Sequence, residues 1–219
     1  MTSEPHRQPH IAKALTYPYP RPDHSFCLQN GKISPLTCAP DFSGRTPVIA
    51  CGSNGSPEQL SRKFTSETRN DIYVTRALLT GFLCTYSAHL TAYGSIPATL
   101  ASFPDHQTNC HVTWLDDAQL SQMHSSEALG VNYRYSKLDH ITLETEFHAP
   151  LQSAFAYISL HGSLCIEGAP VEVCGINNQT HSPIERMSQS EIQKSAMSYL
   201  QLDNTLEEFI DSNINNDVL

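Results

Sequence analysis

Thr46-Pro-Val-Ile-Ala-Cys-Gly-Ser-Asn-Gly-Ser-Pro-Glu-Gln-Leu-Ser-Arg-Lys-Phe64 begins as an apolar run and breaks abruptly into glycine. Val48 to Cys51 has the length and β-branched content of a buried strand. Gly52-Ser53-Asn54-Gly55 ends it. Ser56, Pro57 and Gln59 then suit the N-cap, N1 and N3 positions of a helix with a capping box. A strand, a glycine-bearing loop and a helix start aim backbone N–H groups at one spot, which favours an anion or a carboxylate. An ordinary strand-to-helix turn would read the same way, so the stretch needs a chemical partner elsewhere in the chain.

Downstream, Asp116 opens the clearest helix. Asp116 with Gln119 makes a capping box, and Leu115 with Leu120 suits the hydrophobic staple around it. The helix is expected from Asp117 to Ser126 or Glu127. Its apolar stripe runs Leu120, Met123 and then, at the next step, Glu127. Burial and the negative pole of a helix C-terminus both disfavour a carboxylate anion there, which is a setting suited to proton transfer. A Glu127 one residue past the helix and facing water is the plainer alternative. Tyr133 and Tyr135 follow within eight residues and can hydrogen-bond a carboxylate or a polar ligand.

The remaining pattern is mostly strand. Strands are expected over Gly81–Ser87, after the Thr91–Leu100 loop, over Asn109–Leu115, and over Tyr133–Leu138, Ile141–Phe147 and Ser153–Leu160. Ile141, Leu143, Thr145 and Phe147 alternate with Thr142, Glu144 and Glu146, so one face should be wet. Ser188 with Glu191 caps a helix carrying Ile192, Ala196, Tyr199 and Leu200, and a last helix carries Leu206, Phe209 and Ile210. Residues 1–45 read as an extended, proline-rich arm with little regular structure, able to wrap the domain or meet a protein partner. Residues 46–210 read as the domain with its C-terminal helices, and 211–219 as a frayed acidic tail.

The 219 residues fit one medium domain plus tails. Eight of the 14 prolines fall in the first 47 residues, which supports the arm. The net charge of −9 is concentrated late: residues 150–219 carry two basic and nine acidic side chains. No Lys/Arg stripe suggests nucleic acid, no apolar run is long enough to span a bilayer, and the opening residues lack a signal-peptide pattern. Seven scattered cysteines without a C-x-x-C pair argue against a disulfide framework and a structural zinc site, so a cytoplasmic protein without metal or cofactor is expected.

Four motifs in order carry a resemblance. Ala50-Cys-Gly-Ser-Asn54 resembles the Y-G-S-N signature of the γ-glutamylcyclotransferase-like family. Gly94-Ser-Ile-Pro-Ala-Thr99 is similar to its G-x-x-x-A-T strand, and Cys110 to Leu120 to its V-x-x-V-V-W strand and following helix. His124-Ser-Ser-Glu-Ala128 with Gly130-Val-Asn-Tyr133 is similar to its D-x-x-E-G and G-x-Y segments. The resemblance spans about residues 46–160. It implies an α+β fold, a small mixed β-barrel flanked by helices. It further implies that Cys51, Gly52, Ser53, Asn54 and Tyr133 hold a γ-glutamyl group, while Glu127 moves a proton from the α-amine to the leaving amine. The products would be 5-oxoproline and an amine. The chain departs from the pattern at Cys51, Gly55, His124 and Ala128, and the arm has no counterpart in the minimal domain.

Three other readings stay open. Cys51 beside a helix start could be a nucleophile with a histidine base. Cys110, His111 and His124 could meet at a metal, although adjacent strand residues point to opposite faces. The barrel could also be a non-catalytic module that binds a small molecule or a protein.

Overall fold

The computed structural model describes residues 8–64, 71–176 and 184–215. In chain order its first elements are α1 (Pro9–Leu15), β1 (Phe26–Gln29), β2 (Lys32–Pro35), β3 (Thr46–Ala50), α2 (Pro57–Lys63), β4 (Ile72–Tyr86) and β5 (Ala98–Leu115). Then follow α3 (Asp117–Ser126), β6 (Tyr133–Thr145) and β7 (His148–Ser159). The short strands β8 (Cys165–Ile166), β9 (Ala169–Pro170), β10 (Glu172–Val173) and β11 (Arg186–Met187) lead into α4 (Gln189–Tyr199) and α5 (Leu206–Ile214). Among the described residues no helix is long and apolar enough to cross a membrane.

The run β4-β5-β3-β7-β6 closes on itself because β6 also pairs with β4. The result is a small five-stranded barrel. It is mixed: β3 and β7 run parallel at Val48–Phe155 and Ile49–Ala156, while the other barrel neighbours are antiparallel. The expected α+β barrel with flanking helices is present. Side chains at alternate positions fill it, among them Ile49, Leu79, Val112, Leu143 and Ala156. On β6, Ile141 and Leu143 are buried while Thr142 and Glu144 are exposed, so the alternation read from the sequence is the one that forms.

Two further apolar clusters set what lies outside the barrel. Val48, Val74 and Leu115 point outward and bury Leu60 of α2 and Met123 of α3. Ile11 of α1 packs with Met197 of α4 and Phe209 and Ile210 of α5. Burial of such side chains is worth roughly 1.5–3 kcal/mol each, enough to hold short helices that are marginal alone.

Several elements differ from the sequence expectation. Residues 1–45 are not merely an extended arm: residues 9–15 form α1, and β1 pairs with both β2 and β4, extending the sheet. The positions before 8 lie outside the described residues. The strand expected from Gly81 begins at Ile72, because Gly81, at φ +85°, sits in a bulge that lets β4 continue. Tyr133–Leu138 and Ile141–Phe147 join into β6 despite an irregularity after Asp139. The helix after the opening loop does start at Pro57, but Ser56 makes no side-chain cap and its hydroxyl is buried unpaired, so no capping box forms there. On α4 the buried face is Ile192, Gln193 and Met197, while Tyr199 and Leu200 are exposed. Of the tail, residues to Ile214 are helical and Asp211 accepts a 2.5 Å hydrogen bond from His10 Nε2. Residues 216–219 lie outside the described set.

Candidate functional site

The end of α3 places the carboxylate. Asp116 accepts from the Gln119 N–H at 2.8 Å and the Gln119 side chain accepts from the Asp116 N–H at 3.0 Å, closing the expected capping box. Met123 is fully buried and fixes the helix on the barrel. Glu127 is the C-cap, with its N–H donated to His124 O. Ala128 then turns left-handed, at φ +46°, and its carbonyl accepts from Val131 and Asn132. That conformation favours glycine, so the alanine here is a tolerated strain. The turn sends the chain into β6 and leaves the Glu127 side chain only 10% exposed.

The loop after β3 meets it. Gly52 leads into a single 3-10 turn, Ser53–Gly55. Asn54 Nδ2 donates to Glu127 Oε1 at 2.9 Å, across 73 residues of sequence. Lys63, at the end of α2, donates to Asn54 Oδ1 at 2.8 Å and also to Glu127 Oε1. The three side chains form a closed triangle, with Lys63 Nζ 3.7 Å from Met123 Sδ. Gln122 of α3 donates to the Lys63 carbonyl, fastening α2 to α3 beside it. The carboxylate that the sequence left alone on an apolar stripe has an ammonium as its counter-ion.

Tyrosines complete the surroundings. The phenols of Tyr93, Tyr133 and Tyr157 are pushed up by burial first and by the Glu127 charge second, which places all three around the carboxylate. Tyr93 is in hydrogen-bonding contact with Ser53. Tyr133 donates to Ala98 O at 3.3 Å. Tyr157 hydrogen-bonds His124 Nδ1 at 2.8 Å, so His124 acts on the ring of tyrosines and not on Glu127.

The arm enters here too. Tyr17, 5% exposed, accepts a hydrogen bond from the Ala98 N–H on its hydroxyl oxygen at 2.7 Å and covers Gly52 so closely that a Cβ there would overlap the hydroxyl. A tyrosine ring thus reaches the loop that follows Cys51 from residue 17. Cys51 itself belongs to the barrel interior. A hydrogen bond with the Cys84 thiol holds the Cys51 thiol below its usual range, against the effect of burial and with help from Arg21. Its neighbour is another thiol and not a histidine, which leaves the nucleophile reading without a base. Cys110 lies in the interior, His111 under Arg21, and His124 against Tyr157. Among the described residues no three His, Cys, Asp or Glu side chains are grouped to hold a metal ion.

Of the residues read from the sequence, Ser53, Asn54, Glu127 and Tyr133 therefore gather in one place, with Gly52 under Tyr17. Lys63, Tyr17 and Tyr93 were not singled out. Lys63 sits in the last turn of a surface helix, where a lysine is ordinary, and nothing local marks it. Tyr17 lay within a Tyr-Pro-Tyr-Pro run whose spacing says nothing about where it docks.

No protein-family model and no curated protein sequence matches the chain. Among solved structures, the chain is similar to YkqA from Bacillus subtilis at 14% identity, covering 88% of this chain and 70% of that one with a TM-score of 0.45. It is similar to a gamma-glutamyl cyclotransferase at 14% identity over 77% of this chain and 86% of that one, TM-score 0.43. A third is a yeast gamma-glutamyl cyclotransferase specific to glutathione, at 12% identity over 79% and 99%, TM-score 0.36.

Proposed function

We propose that the chain cleaves a γ-glutamyl amide by attack of the substrate's own α-amine on its γ-carbonyl. The C–N bond of the amide breaks, a five-membered lactam forms, and 5-oxoproline and a free amine leave. Glu127 takes the proton that the α-amine loses on attack and delivers it to the leaving nitrogen. Gly52, Ser53 and Asn54 hold the α-carboxylate end through the loop backbone, and Tyr133 walls the opposite side. No cofactor enters the reaction, because holding the amine against the carbonyl supplies much of the acceleration.

The observation that carries this reading is the 2.9 Å bond between Asn54 and Glu127. It joins the Gly52–Gly55 loop to the Glu127 carboxylate, so a molecule held by one would lie against the other. Both protein contacts to the carboxylate fall on Oε1, so Oε2 is the oxygen left for the amine among the described residues. The substrate's ammonium group would compete with Lys63 for the same anion; it gives one proton to water to become a free amine, and the second proton, lost on attack, is the one Glu127 carries to the leaving nitrogen.

A second reading rests on a separate observation. Tyr17 covers Gly52 and takes the Ala98 N–H, while Lys63 takes Glu127, so side chains of the protein occupy groups a substrate would use. A non-catalytic binding module would tolerate that arrangement. Assaying 5-oxoproline release from γ-glutamyl amines and γ-glutamyl amino acids separates the two. Release from at least one, lost in a folded Glu127→Gln variant, supports the enzyme. Binding without release supports the module.

A further inference from the structure

Lys63 has no part in the proposed cyclisation, yet its amine lies within reach of an acyl carbon. Lys63 Nζ is 2.8 Å from Asn54 Oδ1. With a carbonyl bond of about 1.23 Å, that places the nitrogen no more than about 4 Å from Asn54 Cγ, near the separation of roughly 3–3.5 Å from which reaction proceeds.

A primary amide resists an amine in water for two reasons. The ammonium cannot attack until it loses a proton, and the amide nitrogen leaves only when it gains one. Here both transfers meet at one atom. Glu127 Oε1 accepts from Lys63 Nζ and, at 2.9 Å, from Asn54 Nδ2. The carboxylate therefore touches the nitrogen that must give up protons and the nitrogen that must receive one. The third edge of the triangle sets the nucleophile against the carbonyl.

The backbone holds both reactants in place. Asn54 lies in a 3-10 turn closed by the Gly55 N–H on Gly52 O at 3.2 Å, and the Lys63 carbonyl accepts from the Gln122 side chain of α3. Reactants fixed in this way act at a high effective concentration. Little water competes, because the side chains of Lys63 and Glu127 are 15% and 10% exposed and the fully buried Met123 sets its Sδ 3.7 Å from Nζ.

We infer that Lys63 and Asn54 are a self-modification site, at which the chain forms an intramolecular isopeptide bond. Lys63 Nζ passes a proton to Glu127 and attacks Asn54 Cγ. The N–C bond forms, a second proton leaves Nζ, and the Cγ–Nδ2 bond breaks as Glu127 protonates Nδ2. Both protons lost by the lysine ammonium depart on the released nitrogen as one ammonium ion. Glu127 ends as the carboxylate it began, and no oxidant or co-reactant is consumed. The bond ties the loop after β3 to the end of α2 and removes the ammonium that a substrate at Glu127 would otherwise displace. It needs no substrate, so it stands or falls apart from the cyclisation. Chain that has not reacted keeps the ion pair, and stability comparisons among Lys63 and Glu127 variants belong to that form.

Intact-mass spectrometry of the purified full chain, held at neutral pH until its mass stops changing, tests the inference, with tryptic mapping of the product. Most of the wild type should weigh less than its sequence by one ammonia. Trypsin does not cut after an acylated lysine, so it should release a branched peptide joining residues 46–62 to residues 63–69. Lys63→Arg keeps the charge without the nucleophile, Asn54→Ala removes the acyl carbon, and Glu127→Gln removes the proton carrier. Each should keep its full mass, with circular dichroism showing that it is folded. Should a variant fail to fold, the branched peptide of the wild type decides. Asn54-Gly55 can also lose ammonia by closing on its own backbone as a succinimide. An ammonia loss that survives Lys63→Arg and gives no branched peptide would be that reaction and overturns the inference, as does a wild type of full mass.

Discussion

On one side of the Gly52–Gly55 loop, the Glu127 carboxylate, the Asn54 amide and the Lys63 ammonium satisfy one another. On the other side, Arg21 Nη2 is buried with no hydrogen-bond partner among the described residues, and the His111 ring, 5% exposed, lies against Arg21 and the Pro22 backbone. The two neighbourhoods share a backbone and differ in what occupies it. The first is satisfied as it stands, and under the proposed reaction a substrate would have to displace Lys63 and Tyr17. The second keeps a neutral, desolvated histidine beside a guanidinium whose Nη2 finds no partner among the described residues. Removing a partner should therefore damage the first neighbourhood and relieve the second.

The largest effect on stability is expected from Lys63→Met. It leaves the Glu127 carboxylate mostly buried without its counter-ion, at a cost of about 3 kcal/mol by urea unfolding. The double variant with Glu127→Gln should regain most of that loss, and simple additivity would break the triangle as described. Gly52→Ala comes next, at about 2 kcal/mol, because the new methyl group meets the Tyr17 hydroxyl and Ala98 Cβ. Shortening the arm's residue with Tyr17→Ala in the same chain should offset part of it.

The second neighbourhood should respond with the opposite sign. His111 is held neutral in the folded chain, with a pKa near 4, whereas an unfolded histidine protonates near 6.5. Its contribution is intact above pH 6.5 and is lost as pH falls toward 4, because the unfolded state takes up the proton first. His111→Leu should thus gain on the parent between pH 7.5 and pH 5, by about 1–2 kcal/mol. An unchanged difference across that range would mean the ring is solvated. Tyr17→Phe is the smallest change, about 1 kcal/mol for the lost hydrogen bond to the Ala98 N–H.

The same contrast marks what was legible in the sequence. Periodicity and caps located α3, the Asp116 box and the alternation of β6, since those signals are local. The strand, turn and helix order of Thr46–Phe64 was readable for the same reason, although its cap was not: Ser56 is buried where a capping serine would face the helix N–H groups. Long-range partners were not legible. Nothing near Lys63 says that it meets Glu127, and nothing in the Tyr-Pro-Tyr-Pro run says that Tyr17 docks on Gly52. Arg21 and His111 lie 90 residues apart and look ordinary until the arm folds back. Gly81 misled the strand boundary because a bulge lets a strand pass through a residue that usually ends one.

The most direct test of the central reading is 5-oxoproline release by purified wild-type protein and by Glu127→Gln, with far-UV circular dichroism on both. The account predicts release from a γ-glutamyl amide by the wild type and a fall of at least about a hundredfold in a Gln variant that remains folded. A Gln variant that is folded and fully active would contradict it.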